Sequence, residues 1–537
     1  MKLKTLILSA IILLNFSYSF TQDNNIQWLV KNDEQNVLND YRILKTFSYK
    51  GKIFVLKVTD NNLFSNKDIF KISQIENIKS EKSDISITQF NNKSQEGLYL
   101  NIYDIIEIKN NLYLFYTQFN DKENATHFYV SKINAEGELK IDFKTKLISG
   151  SSKSFSNECN FYLHFNQDST LMGLQAMGTI YEKKLNVLDS YMFSTKDFSL
   201  LNKFQSTWNM TRSSFDILDF CIDHKGNFNI FYEQLIGKVT ECFSRKLISS
   251  TKFEDKPIFS NDKNLYDAKY VLFKDQTKII GTFLKDIKIN DDLRGIYLLD
   301  LDDLDKFDKG ITFLEFSKEL LLNFISESKI LKGKGIDIHN FKNITTDENK
   351  NIYLFLENRG SNASFLTFNN IIFVKVSSNN KIVFDKVFFK NQQVKNAGGP
   401  NVTFGNSLFN WSEFYFGYKF YLNQPYFMKP YIIHRFKHEY EEGASFKVVN
   451  KKDDLLIYYN GHKEDIPTKE GNNSQNFASL SLISINIKKA NCESSYKKTK
   501  MDDVILPLFS VTNTENETLF IAKRRMVKND YSIFKVK

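Results

Sequence analysis

Cysteine is nearly absent from this chain of 537 residues, with Cys159, Cys221, Cys242 and Cys492 the only four. That is too few for a disulfide framework at this length, and no two stand at the short spacing of zinc ligands. The nearest pair, Cys221 and Cys242, falls on the first and third strands of one predicted sheet. Two strand spacings of about 4.8 Å separate them, beyond ordinary disulfide reach, so free buried thiols are expected. Proline (6) and glycine (21) are also scarce, which excludes collagen-like and linker-dominated chains. Beyond the extreme N-terminus no apolar run approaches the roughly 20 residues that span a bilayer. The balance of 72 Lys+Arg against 63 Asp+Glu gives +9, but the basic residues are scattered among acids and asparagines. No stripe forms, and no nucleic-acid partner is expected.

Catalytic signatures are missing as well. There is no Gly-x-Ser-x-Gly elbow. Gly333-Lys334-Gly335 and Gly398-Gly399-Pro400 lack the preceding strand and following helix of a phosphate loop, and read as links between units. His434 and His438 are spaced i, i+4, but Arg435 stands where a metalloprotease needs its glutamate. The acidic run Asp300, Asp302, Asp303, Asp305 and Asp308 puts Leu304 at the third ligand position of a calcium loop and Asp305 where its glycine belongs. A turn between outer strands accounts for it better. No metal and no cofactor are expected.

What is present is an address and a repeat. Residues 1–19 carry Lys2 and Lys4, an apolar run from Leu6 to Leu14, and Ser17-Tyr18-Ser19 before a polar stretch. This is the pattern of a secretory signal peptide and predicts an exported chain, periplasmic or extracellular, with no transmembrane span after residue 19. Polar turns such as Lys50-Gly51-Lys52, Lys109-Asn110-Asn111, Asp223-His224-Lys225-Gly226-Asn227 and Asp347-Glu348-Asn349-Lys350-Asn351 each precede a short β-branched and aromatic run. Eight such runs begin at Ile53, Leu112, Leu171, Phe228, Ile279, Ile352, Leu455 and Leu519, at spacings of 59, 59, 57, 51, 73, 103 and 64. Strand, Asn/Asp/Gly turn and strand make a hairpin, because these residues supply the positive φ of tight turns. Further strand-like runs complete four-stranded antiparallel units. Runs such as Leu112 to Tyr116 and Ile352 to Leu356 are apolar on successive residues, as expected of strands covered on both faces.

Repeated four-stranded sheets at this period resemble the blades of a β-propeller, and the resemblance covers nearly all of residues 20–537. It implies an all-β fold of about eight blades; seven or nine also fit, because the two longest spacings divide in more than one way. A string of β-sandwiches is the structural alternative. The last unit, Val504 to Val511, Leu519 to Ala522 and Tyr531 to Val536, is one strand short. Ile26 to Val30 is predicted to supply it.

The longest spacing holds an aromatic-rich insertion or degenerate blade at about 391–443. Read as a strand, residues 411–422 place Trp411, Tyr415 and Tyr421 on a face with Glu413 and Lys419, and Phe414, Phe416, Tyr418 and Phe420 on the other. The first face fits a ligand platform of three rings, though strand aromatics also serve packing alone. The functional expectation is an exported binding or interaction scaffold with a protein or glycan ligand, Trp411, Tyr415 and Tyr421 being the ligand-binding candidates and no catalytic residue assigned. The alternative is an exported carbohydrate-active enzyme with carboxylates at the channel, since the fold hosts both classes.

Overall fold

The computed structural model describes residues 26–30, 41–59, 70–75, 84–86, 99–120, 123, 125–134, 140–151, 160–180, 185–209, 215–236, 239–250, 252–258, 263–284, 293–303, 310–337, 339–361, 365–395, 446–451, 454–460, 480–486, 491–497, 503–506, 510–512, 517–524 and 531–536. These residues form an all-β fold, a β-propeller. Seven sheets are four-stranded antiparallel meanders, spanning residues 41–86, 99–151, 160–209, 215–258, 264–315, 340–395 and 447–497, and are numbered blades 1 to 7. An eighth sheet, blade 8, is composite. Its order is Ile26–Val30, Tyr531–Val536, Thr518–Arg524 and Asp503–Ile505, with Val511–Thr512 also paired to Thr518–Arg524. The expected latch is therefore present, with Ile26 opposite Val536 and Trp28 opposite Phe534.

The chain divides into two compact units, one holding blades 1, 7 and 8, the other blades 2 to 6. In the first, Ile43, Ile53 and Val55 of blade 1 pack on Leu519, Ile521 and Ile533 of blade 8, and Leu29 of the latch joins this cluster. The other face of blade 8, through Phe520 and Phe534, meets Val449 and Tyr458 of blade 7. Deleting residues 20–31 removes this strand's ladder and the packing of Leu29. The melting temperature of the deleted chain is expected to fall, by roughly 2–4 °C per kcal/mol lost, and an unchanged melting curve would contradict the latch.

In the second unit each blade packs on the next in chain order, through Phe128 on Phe161, Tyr162 on Phe220, and Ile280 and Leu298 alongside Leu354 and Val374. The hairpin turns take the backbone their residues favour: Lys50 and Gly51 at φ 49° and 77°, Lys109 and Asn110 at 48° and 63°. In blade 4 the Asp223 carboxylate accepts the Lys225 and Asn227 N–H groups at 2.9 and 2.8 Å, and in blade 6 Asp347 accepts that of Asn351 at 2.9 Å.

The 73-residue spacing has a cause that the strand pattern did not show. Two short helices, Lys318–Leu322 and Glu327–Leu331, stand between blades 5 and 6. Ser317 caps the first by accepting the Leu320 N–H at 3.1 Å and is itself held by Asp385 at 2.6 and 2.7 Å. Leu320 and Leu321 sink into the core between the two blades. Gly333-Lys334-Gly335 thus closes a helix, with Gly333 at φ 75°.

Candidate functional site on the first strands

The first strands of the blades are irregular. An extra residue interrupts the register against the second strand at Ile43/Lys45, Ile102/Asp104, Ile217/Asp219, Leu265/Ala268 and Phe341/Asn343, in blades 1, 2, 4, 5 and 6. A bulge re-aims side chains and leaves backbone groups out of the ladder. In the second unit the first strands of blades 3 and 4, 4 and 5, and 5 and 6 lie side by side. At the bulges, side chains of one blade satisfy the backbone of its neighbour.

The Tyr103 hydroxyl of blade 2 donates to the Phe161 carbonyl and accepts the Leu163 N–H of blade 3, both at 3.2 Å. Asp219 Oδ2 of blade 4 accepts the Tyr270 N–H of blade 5 at 2.6 Å, and Lys269 Nζ returns a bond to the Leu218 carbonyl at 2.6 Å. Asp267 Oδ2 of blade 5 then accepts the Phe341 N–H of blade 6 at 3.0 Å. Asp219, Asp267 and Lys269 are 4, 2 and 2% exposed, so the pattern is an interior one.

Its electrostatics are those of charges taken out of water. Burial pushes the Asp219 carboxyl up to about 6; the Lys269 ammonium and the Tyr270 and Phe220 N–H groups pull it back, and Asp267 adds to the rise. Burial raises Asp267 too, again opposed by Lys269, whose Nζ stands 4.0 Å from Asp267 Oδ1. Next along, burial holds His339 down at about 4, and its Nδ1 lies 2.7 Å from the Asp337 carbonyl. Close packing seals the cluster: a Cβ on Gly281 would stand 2.2 Å from the Tyr297 ring and 2.4 Å from the Asp267 carbonyl oxygen. The two carboxylates are engaged with backbone N–H groups, and their work in this arrangement is to fix neighbouring first strands.

At the turn end of the same blades a second network is exposed. Lys225 and His224 of blade 4 reach Asp302 and Thr277 of blade 5, and Lys350 of blade 6 reaches Asp275 at 2.6 Å. Of the acidic run, Asp300 ends the third strand of blade 5 and Leu301–Asp303 follow as a 3-10 helix whose Asp302 pairs with the blade before it, while Asp305 and Asp308 lie outside the described residues. Cys221 and Cys242 are buried free thiols on the first and third strands of blade 4. Burial raises both.

Trp411, Tyr415 and Tyr421 lie outside the described residues, as do His434 and His438. The last strand of blade 6 runs to Lys395, so the insertion begins after it. In an antiparallel meander the connection from second to third strand and that leaving the fourth strand emerge at the end where the first strand begins. The three longest connections, 396–446, 316–339 and 461–479, are all of these two kinds. At the opposite end no first-to-second-strand turn exceeds the five residues of 223–227 or 347–351. The buried charges carry no local mark of burial in the sequence; Leu218-Asp219-Phe220 and Tyr266-Asp267-Ala268-Lys269, charges set inside apolar runs, are the signal that could find them.

No family model matches the chain, and no curated protein matches it. Among solved structures it is similar to the β-propeller domain of the Trilobed protease from Pyrococcus furiosus, at 10% identity and TM-score 0.32 over 68% of this chain and 98% of that one. It is also similar to prolyl oligopeptidase B from Galerina marginata, at 7% identity and TM-score 0.36 over 94% of this chain and 56% of that one. A third similarity is to the polysaccharide lyase Uly1, at 7% identity and TM-score 0.35 over 91% and 88%.

Proposed function

We propose that the protein is an exported β-propeller that acts as a binding scaffold, taking a protein or glycan ligand at the end of its blades where the first strands begin. The observation that carries this reading is the placement of the long connections. The three longest connections all leave the sheets at the end where first strands begin, while the first-to-second-strand turns at the opposite end have at most five residues, and loops on a rigid scaffold are where binding residues concentrate. The pattern of residues 1–19 supports export, and Trp411, Tyr415 and Tyr421 fall in the longest of these connections.

The test is a binding screen of the exported chain against immobilised glycans and, in parallel, against protein extracts by pull-down. A Trp411→Ala, Tyr415→Ala double variant of unchanged melting temperature is run beside the parent. Loss of about tenfold in affinity or more, some 1.4 kcal/mol, is expected for whichever ligand is found. Equal binding by the variant would move the site off this connection. The mass of the exported chain is expected to place its first residue at Phe20.

A further inference from the structure

Blade 3 carries a second polar line, set in the contact with blade 4 and outside the first-strand network. Its first-strand His164 pairs with Gly173, second-strand Gln175 pairs with third-strand Ser190, and fourth-strand Ser206 stands opposite Leu188, one step along the same face. Period two puts all of these on the side that meets blade 4, because Tyr162, Leu188, Met192 and Phe204 of that face pack on Phe220, Phe228 and Ile230. The His164 ring lies over Gly173, where a Cβ would be 2.3 Å from Nε2, and meets Phe228 edge-on at 5.1 Å. Gln175, Ser190 and Ser206 are 0, 0 and 1% exposed, and His164 is half-buried with both ring nitrogens covered.

Six atoms of this line lack a hydrogen bond of good geometry within the protein: both ring nitrogens of His164, Oε1 and Nε2 of Gln175, and the hydroxyls of Ser190 and Ser206; the Gln175 side chain stands close enough to His164 to act on its ring. The facing wall of blade 4 is largely apolar beside this line, through Phe220, Ile222, Phe228 and Ile230. Leaving six buried polar atoms unpaired would cost as much as the whole stability of a domain. We infer that the blade 3–blade 4 contact encloses a hydration site, in which ordered water bridges His164, Gln175, Ser190 and Ser206. A buried water makes about three hydrogen bonds, so six atoms call for about two waters. Burial holds the imidazole down at about 3, with Gln175 pulling the other way; His164 is thus neutral, one ring nitrogen donating and the other accepting, which suits water as the partner.

Oxygen-17 water relaxation dispersion counts long-lived internal waters and is read on the full chain. The parent is expected to exceed a Ser190→Ala, Ser206→Ala variant of the same melting temperature by at least one water. Equal amplitudes would overturn the inference. Independently, electron density from a parent crystal is expected to show ordered solvent within hydrogen-bonding distance of Gln175 and His164. Density showing the four side chains bonded directly to one another, or xenon occupying the space after pressurisation, would refute it, since a dry cavity takes xenon.

Discussion

Replacing Lys390 with methionine is expected to lower the unfolding free energy by about 3–5 kcal/mol, because it removes the ammonium that faces a buried carboxylate in the interior of blade 6. Lys390 Nζ donates to Glu357 Oε1, and both side chains are 0% exposed. The pair spans the third strand, Phe365–Val376, from the second strand to the fourth. That reach is made by paired irregularities: the register slips between Glu357 and Arg359 and again between Asn369 and Ile371. Asn370, released from the ladder, accepts the Lys390 N–H at 3.2 Å, and Asn369 donates to Asn358 at 3.1 Å. The bulges and the ion pair thus form one local arrangement. Removing both charges, as Glu357→Leu with Lys390→Met, is expected to restore most of the loss, since the penalty of the single change is the buried charge it leaves and not the missing attraction. Urea titration of the three proteins checks this. A double variant as unstable as Lys390→Met would show that packing, not charge, governs the site.

The fold was legible in the sequence wherever the physics is local. Turns such as Lys50-Gly51 and Lys109-Asn110 need positive φ, and the runs after them are covered on both faces, so period and hairpin type follow from residue identity. The latch was legible by counting, since Tyr531–Val536 lacks an outer neighbour that Ile26–Val30 supplies. Seven four-stranded blades and one composite sheet fall within the expected range of seven to nine. The helices of 318–331 were not legible, because five residues are too short for an amphipathic period to show. The first-strand charges were hidden for a different reason. A single Asp or Lys in a strand reads as an outward-facing residue, and only a bulge, which depends on the neighbouring blade, turns Asp219, Asp267 and Lys269 inward to bond the next first strand.

That inward placement sets a pH dependence whose sign is fixed by burial. The Asp219 carboxyl is raised to about 6 in the fold from 3.8, so the folded chain binds this proton more tightly than the unfolded chain does. Its contribution is therefore most favourable below about pH 4, declines as pH rises through the window from about 4 to 6, and reaches its full penalty above. A displacement of about two pH units corresponds to about 3 kcal/mol. Asp267 shifts in the same direction and works in the same sense. Asp219→Asn keeps an oxygen that accepts the Tyr270 N–H but carries no charge to desolvate. The stability of the variant relative to the parent is thus expected to rise by up to about 3 kcal/mol between pH 4 and pH 7, read from urea midpoints across that range. Parallel curves would mean that Lys269, donating to the Leu218 carbonyl and standing 4.0 Å from Asp267, already compensates the Asp219 charge in full. The first strands would then be held by a balanced ion network and not by a carboxylate kept at a cost.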